Sequence, residues 1–299
     1  MYGQGEANFW YFGQNAGLNF NTNPPTAING SINTNEGCAS FSDKEGNLLF
    51  YTDGTRVYNK DHMTMPNGFN LRGNPSSTQS GIIVPHPGNP NQYYIFTVGA
   101  NFEGGVPGLN SYIVDMTENG GLGDVVSGPI DLSKGEASNW TEKVTSVKGA
   151  DCKTFWVISL VKNIYYVFKL DENGLDETPI KSPVPYHSTD RRGYLKVSPD
   201  GKKVASANFN YTTDQNGVGQ TGIGRLHLYD FNDKTGEITN EQNLINFTEN
   251  DGEPYGVEFS PNSSKLYCST YDGTFNKLWQ YDLNNSDIKD SKILIKNQA

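Results

Sequence analysis

Arg191 and Arg192 stand side by side in the polar segment Ser188–Gly193 (STDRRG) and are the residues best suited to hold a ligand. A guanidinium is planar, always charged, and forks two N–H donors toward one carboxylate. Four comparable segments recur: Asn33–Gly37 (NTNEG), Pro75–Ser80 (PSSTQS), Ser138–Glu142 (SNWTE) and Asp251–Gly256 (DGEPYG). From these, Glu36, Gln79, Glu253 and Tyr255 join the arginines as candidate ligand-binding residues. Together they would form a ring of mixed charge with aromatic character. Such a ring suits a sugar, a peptide terminus or a carboxylate ligand. The plainer alternative is that these groups cap strand ends and pair with neighbours such as Asp190.

Catalysis has weaker support. Glycoside cleavage needs two carboxylates at a set separation, and Glu36, Asp53, Asp190 and Glu253 could supply a pair. No GxSxG segment occurs, and Ser76-Ser77 lacks the strand-to-helix pattern of a nucleophile elbow. His62, His86, His187 and His227 form no HExxH or other ligand pair. The acidic stretches Asp43–Asn47 and Asp230–Glu237 do not match a twelve-residue calcium loop. Cys38, Cys152 and Cys268 lie far apart, and an odd count excludes full disulfide pairing. They read as small residues packing strands. No catalytic residue and no cofactor is assigned; a structural calcium ion is not indicated by spacing.

The elements that must position these groups are strands. Five segments repeat one phrase, an apolar strand, a tight turn and a second apolar strand: Ala39–Asp53, Gly81–Val98, Thr145–Leu160, Leu195–Phe209 and Val257–Thr270. Third strands follow at Ser111–Met116, Ile164–Asp171, Arg225–Asp230 and Lys277–Asp282, several ending in a Tyr-Asp or similar pair. Weaker fourth strands follow at Ile238–Phe247 and Ile288–Ile295. Turn residues such as Pro199-Asp200-Gly201 and Asn173-Gly174 reverse the chain for known backbone reasons.

Four antiparallel strands repeated at intervals of about 40–60 residues predict an all-β fold, a β-propeller of about six blades. Asn8–Gly13 and Gly17–Asn21 read as two strands of a partial N-terminal blade, residues 1–32, and residues 33–299 as about five full blades of one domain. Two long polar loops, Gly99–Asn110 and Phe209–Gly224, connect second to third strands. Long loops of this kind are uncommon unless functional or mobile.

Composition excludes several classes. The 299 residues carry a formal charge of −10, which argues against nucleic acid as a partner because phosphate binding needs a basic stripe. No apolar run reaches the roughly 18 residues that span a bilayer, so no membrane insertion is expected. Met1–Ala7 is polar and Gly-rich and does not read as a signal peptide. The chain holds 17 Tyr and 15 Phe, which suit pleated faces, and 33 Gly and 15 Pro, which suit many turns.

The N-terminal quarter carries a resemblance. Trp10–Asn21 (WYFGQNAGLNFN), Asn33–Ser40 (NTNEGCAS), Asn47–Gly54 (NLLFYTDG), Met65–Gly68 (MPNG), Gly73–Ser80 (GNPSSTQS) and Ile82–Pro85 (IIVP) form the match. Phe155–Ile158, Leu195–Asp200 and Tyr255–Tyr267 extend it over nearly all of the chain. The chain resembles the N-terminal propeller-like region of large secreted Bacteroidota surface proteins. Those proteins often add PKD-type repeats and a gliding-motility-associated or type IX sorting domain. The resemblance implies export, a place at the cell surface or outside the cell, and a binding or adhesive role. It also implies a seven-bladed parent, of which this chain is a piece. It supplies no catalytic residue.

The expectation is therefore a non-catalytic binding or adhesion module that holds an extracellular glycan, peptide or protein through the loops of one propeller face. A polysaccharide hydrolase or lyase on the same face is the alternative, and a structural or assembly platform is the third reading.

Overall fold

Aromatic and β-branched runs broken by Gly, Asn, Asp and Pro turns build strands throughout the computed structural model. It describes residues 5–100, 106–188, 190–213, 219–221, 224–246 and 251–298. Parts of both long loops, at 101–105, 214–218 and 222–223, lie outside the described residues, as do Thr189 and 247–250.

Among the described residues six antiparallel sheets of three to five strands follow one another along the chain, beside one two-stranded hairpin. The first has three strands, β1 (Phe9–Phe12), β2 (Gln14–Asn19) and β3 (Thr26–Asn33). The second runs β4 (Ala39–Ser42), β5 (Leu48–Thr52), β6 (Arg56–Asn59) and β7 (Thr64–Phe69). The third runs β8 (Gly81–Pro85), β9 (Gln92–Val98), β10 (Leu109–Asp115) and β11 (Asp124–Asp131). In the fourth, β12 (Trp140–Lys148) and β13 (Phe155–Val161) lead to β14 (Ile164–Asp171), which is flanked by the short β15 (Gly174–Leu175) and β16 (Ile180–Pro183). The fifth contains β17 (Leu195–Val197) and β18 (Lys203–Asn208). A separate small hairpin follows, β19 (Tyr211–Thr213) with β20 (Gly219–Thr221), before β21 (Arg225–Phe231) and β22 (Ile238–Asn246) complete the sheet. The sixth runs β23 (Glu253–Phe259), β24 (Lys265–Tyr271), β25 (Asn276–Asp282) and β26 (Ile293–Gln298). This is a six-bladed β-propeller of antiparallel sheets.

The differences from expectation are local. The N-terminal blade has a third strand, β3, whose polar sequence TAINGSIN hides its period. β12 begins at Trp140 and β23 at Glu253, several residues before their hairpins read as apolar. The tail forms β26 and pairs with β25. The loop after Phe209 is not structureless, since it contains the β19–β20 hairpin.

Contacts divide the chain into two compact units, residues 1–144 with 172–174, and residues 145–171 with 175–299. In the first unit, Phe50, Val57, Tyr93, Ile95 and Tyr112 share one buried cluster, and Tyr11, Tyr51 and Tyr58 stack in another. The N-terminal sheet leaves Trp10 51% exposed, with its ring 4.8 Å from that of Phe20.

In the second unit, Trp156, Ile158, Tyr165, Val204 and Tyr229 form one cluster, and Ala205, Leu228, Val257, Leu266 and Tyr281 another. Strand β13 is buried at nearly every position, so it packs on both faces, whereas β24 alternates. Ile158 is fully buried, and Ile158→Val is expected to cost about 1 kcal/mol in a urea melt through the lost methylene.

Cys268 is buried in this core and Cys38 is partly buried, but Cys152 is exposed in a turn at φ 58°. The packing role expected of all three therefore fails for Cys152, whose backbone serves a turn. Among the described residues no helix is long and apolar enough to cross a membrane.

Candidate functional site

The second unit gathers four of the six sequence candidates around the start of β23. A register shift in β23 places two of them there. Pro254 and Val257 flank a bulge opposite Thr270 and Cys268, and a bulge inserts one extra residue and re-aims the side chains in it. Tyr255 and Gly256 occupy that bulge, and the Gly256 N–H donates to Ser269 Oγ at 3.0 Å. Glu253 and Tyr255 thus sit inside a strand rather than in the loop before it.

Arg192 is held by its own loop. Its backbone N–H and its Nε–H donate to Asp190 Oδ1 at 3.0 and 2.9 Å, and its Nη2–H donates to Asp190 Oδ2. This is the bidentate fork that suits arginine. Beyond the carboxylate, the guanidinium lies 4.8 Å from the Phe209 ring centre, a cation–π contact. Phe209 meets Tyr255 edge to face at 5.6 Å, and Tyr255 meets Tyr194 at 6.2 Å. The Tyr194 N–H donates to the Tyr255 carbonyl at 2.8 Å, which locks the two segments together. Arg191, next in the chain, is half-buried.

Glu253 is fully buried. Its Oε2 accepts the Asn210 N–H at 3.2 Å, while its Oε1 meets no hydrogen-bond partner among the described residues. A Cβ on Gly224 would fall 1.9 Å from Oε2 and 2.9 Å from the Asn208 carbonyl oxygen, so a side chain there would displace the carboxylate. Arg225 donates from Nη1 to the Gly224 carbonyl at 2.9 Å. Burial pushes the Glu253 carboxyl up to about 7, with Asp190 adding to the rise and Asn210, Gly224 and Arg225 opposing it.

Behind this cluster a polar network is buried in the same unit. His227 is 2% exposed, with Nδ1 3.2 Å from Asn208 Nδ2 and Nε2 3.7 Å from Glu241 Oε1. The Tyr186 N–H and the Tyr229 hydroxyl both donate to Glu241 Oε2, at 3.1 and 3.2 Å. Burial drives His227 down to about 3, with Arg225 adding to the fall, so its imidazole is neutral. His187 is exposed.

The first unit holds the other two candidates. Glu36 is half-buried and Gln79 is buried. Their loops are tied by backbone bonds from Glu36 N–H to Pro75 O and Gly37 N–H to Ser77 O, and a Cβ on Gly37 would fall 2.0 Å from Ser80 N. The Gln79 N–H donates to the carbonyl of Glu142, a residue 1% exposed.

Both the N–H and the hydroxyl of Thr78 donate to Glu142 Oε2 at 3.0 Å. Burial nonetheless pushes the Glu142 carboxyl upward against those donors, and nearby Glu36 adds to the rise. Thr78→Val removes one donor from the charged form. It should cost about 1 kcal/mol, more at pH 8 than at pH 4, in urea melts at the two pH values.

Three other carboxylates singled out in the sequence are occupied. Asp53 Oδ1 accepts the Thr55 N–H, the Thr55 hydroxyl and the Arg56 N–H, each at 2.7 Å, which is a turn cap. Asp43 accepts from Asn47 N–H and Nδ2, and Asp230 pairs with Lys203 and Asn240, again turn and strand-end roles. Among the described residues no group of three or more His, Cys, Asp or Glu side chains gathers as metal ligands.

Phe209, Asn210, Gly224, Arg225 and Glu142 were not singled out by sequence. Phe209 and Gly224 are the two ends of the long polar loop, and that loop was the available signal.

No family model matches the chain, and no curated protein matches it. Solved structures do. A Bacteroides uniformis protein assigned provisionally as a 6-phosphogluconolactonase matches at 11% identity and TM-score 0.54, covering 97% of this chain and 81% of that one. The periplasmic gluconolactonase of Pseudomonas aeruginosa matches at 12% and 0.54, covering 95% and 76%. The Cps50 (Swd1) β-propeller domain of Myceliophthora thermophila matches at 10% and 0.51, covering 100% and 88%. At these identities the likeness shows the propeller fold.

Proposed function

We propose that this chain is a non-catalytic ligand-binding or adhesion module of an exported cell-surface protein. Its ligand is an extracellular glycan, peptide or partner protein, held by the loops around the start of β23. The observation that carries the reading is the continuous array Asp190–Arg192–Phe209–Tyr255, which couples a forked polar pair to aromatic rings at one place. Such a mixture of a few placed polar groups and aromatic surface is the usual makeup of a binding site. Export and surface location rest on the resemblance to secreted Bacteroidota proteins.

A second reading, a hydrolase or lyase, draws on one observation: Asp190 and Glu253 sense each other electrostatically, and burial separates their environments. Against it, Arg192 engages both oxygens of Asp190 with three N–H donors, filling three of its about four acceptor sites and tying the carboxylate to its own loop. The test is incubation of the pure chain with a panel of polysaccharides, cell-surface glycans and peptides, scoring retention and new reducing ends together. Retention without new ends is expected. New ends would move the reading to the enzyme.

A further inference from the structure

We propose that β26 (Ile293–Gln298) is the contact through which two copies of this chain associate, each extending the other's sixth sheet by antiparallel pairing of a free edge. Association at this edge is independent of the ligand site described above.

The strand order β23-β24-β25-β26 makes β26 an edge, and among the described residues no strand pairs with its far side. An edge presents a row of N–H and C=O groups that another strand can take up, and proteins blunt such edges with proline, bulges, short length or charge. The last strands of the other sheets show these devices. β7 contains Pro66, and β11 contains Pro129 after Gly128. β16, at the edge of the fourth sheet, has four residues and ends in Pro183. Proline has no N–H to offer a neighbouring strand. β22 shifts register twice against β21, and its Ile238, Leu244 and Ile245 are buried. β3 (TAINGSIN) has Ile28 and Ile32 as its large apolar residues, and Ile32 is buried.

β26 differs from all of these. Ile293, Leu294 and Ile295 stand in succession at 49%, 48% and 48% exposure. Ile293 lies opposite Gln280 and Leu294 opposite Trp279, so the apolar side chains fall on both faces of the sheet. The strand contains no proline, one charge, Lys296, and one register shift, with Ile295 as the extra residue.

A second copy is the occupant these features select. The edge needs an extended strand that is apolar on both faces and has free main-chain groups, and an identical β26 is such a strand. Two-fold pairing centred on Ile295 sets Leu294 opposite Lys296 of the other copy and Ile293 opposite Asn297 of the other copy. The two lysines then do not face each other, and the contact reads the same from both sides. Six residues from each copy make a small interface, below the roughly 1,200 Å² of stable complexes, so the dimer is weak, with Kd about 10–100 μM. At a formal charge of −10 the copies repel at long range, and salt screens that repulsion. Pairing built from main-chain bonds and apolar contact should therefore tighten as salt rises.

The experiment is sedimentation of the wild type and Ile295→Lys at about 1 and about 300 μM, concentrations that bracket the expected Kd, in low salt and in about 0.5 M sodium chloride. Amide hydrogen exchange at both concentrations locates the contact. The wild type should pass from monomer to dimer, more completely in salt, with exchange at Ile293–Gln298 slowed at the higher concentration. Ile295→Lys places two charges at the centre of the contact and should weaken the dimer at least about tenfold. A wild type that stays monomeric would overturn the proposal. So would growth beyond a dimer, since two-fold pairing uses up both edges, or a dimer that Ile295→Lys leaves unchanged, or slowed exchange elsewhere but not at β26. If Ile295→Lys does not fold, the wild-type exchange pattern decides alone. None of these outcomes bears on ligand retention, which is measured separately.

Discussion

The double variant Arg191→Ala/Arg192→Ala should lose ligand retention by about 100-fold while remaining folded. Arg192 gives the site its fork, and its guanidinium bridges Asp190 on one side and the Phe209 ring on the other. A charge-assisted hydrogen bond from an arginine to the ligand is worth about 1.5–3 kcal/mol, and one lost from each arginine gives about 2.7 kcal/mol or more, which is about 100-fold. Stability should fall by only about 1–2 kcal/mol. The pair spans two residues in one loop, and in the variant Asp190 still accepts the backbone N–H of residue 192.

Arg192→Lys separates charge from geometry. Lysine keeps the positive charge but cannot fork onto Asp190 or lie flat on Phe209. It should recover less than a tenth of the lost affinity. Full recovery by lysine would mean that charge alone operates at this position. Retention assays on immobilised ligand, with circular dichroism to confirm folding, check both variants.

The second large effect is on stability against pH, where Glu253 and His227 oppose one another. Glu253 binds its proton more tightly folded than unfolded, at about 7 against 4.5. Across that window the native state holds the extra proton, so stability falls as pH rises. His227 is the reverse, at about 3 folded against 6.5 unfolded. From about pH 3 to 6.5 the unfolded chain holds the extra proton, so stability rises with pH.

Between pH 4.5 and 6.5 the two slopes cancel in the wild type. Glu253→Gln removes the falling slope and should gain about 2–3 kcal/mol relative to wild type from pH 4.5 to 6.5, at about 1.4 kcal/mol per pH unit. His227→Gln removes the rising slope and should lose a similar amount over the same range. Glu142, also pushed upward, contributes equally to all three proteins, so the comparison between them isolates the pair. Urea melts at pH 4.5, 5.5 and 6.5 measure it; parallel curves for the three proteins would contradict the burial assigned to both groups.

Most of the fold was legible because its signal is local. A strand pair such as Gly81–Val98 carries its own turn, and the observed β8 and β9 lie within those bounds. The misses have a common cause. β3 and the first residues of β12 and β23 are polar in sequence, and they are strands because neighbouring strands pair with them or bury them.

The candidate site was legible where one loop contains it. Asp190 beside Arg192 is a local pair, and the structure joins them. The partnership of Arg192 with Phe209, of Glu253 with Asn210, and of Glu241 with Tyr186 and Tyr229 joins segments between 12 and 55 residues apart. Only tertiary packing brings such groups together, and no spacing in one sequence announces it. Glu36 and Gln79 illustrate the same limit: their place beside Glu142 in the first unit depends on Thr78 and on backbone bonds that the sequence does not display.

The measurement that bears most directly on the binding site is retention of the wild type and of Arg191→Ala/Arg192→Ala on one immobilised glycan and peptide panel, with reducing ends counted in the same wells. The account predicts retention of the wild type, loss of about 100-fold in the variant, and no new ends from either. Equal retention by both proteins, or new ends from the wild type, would contradict it.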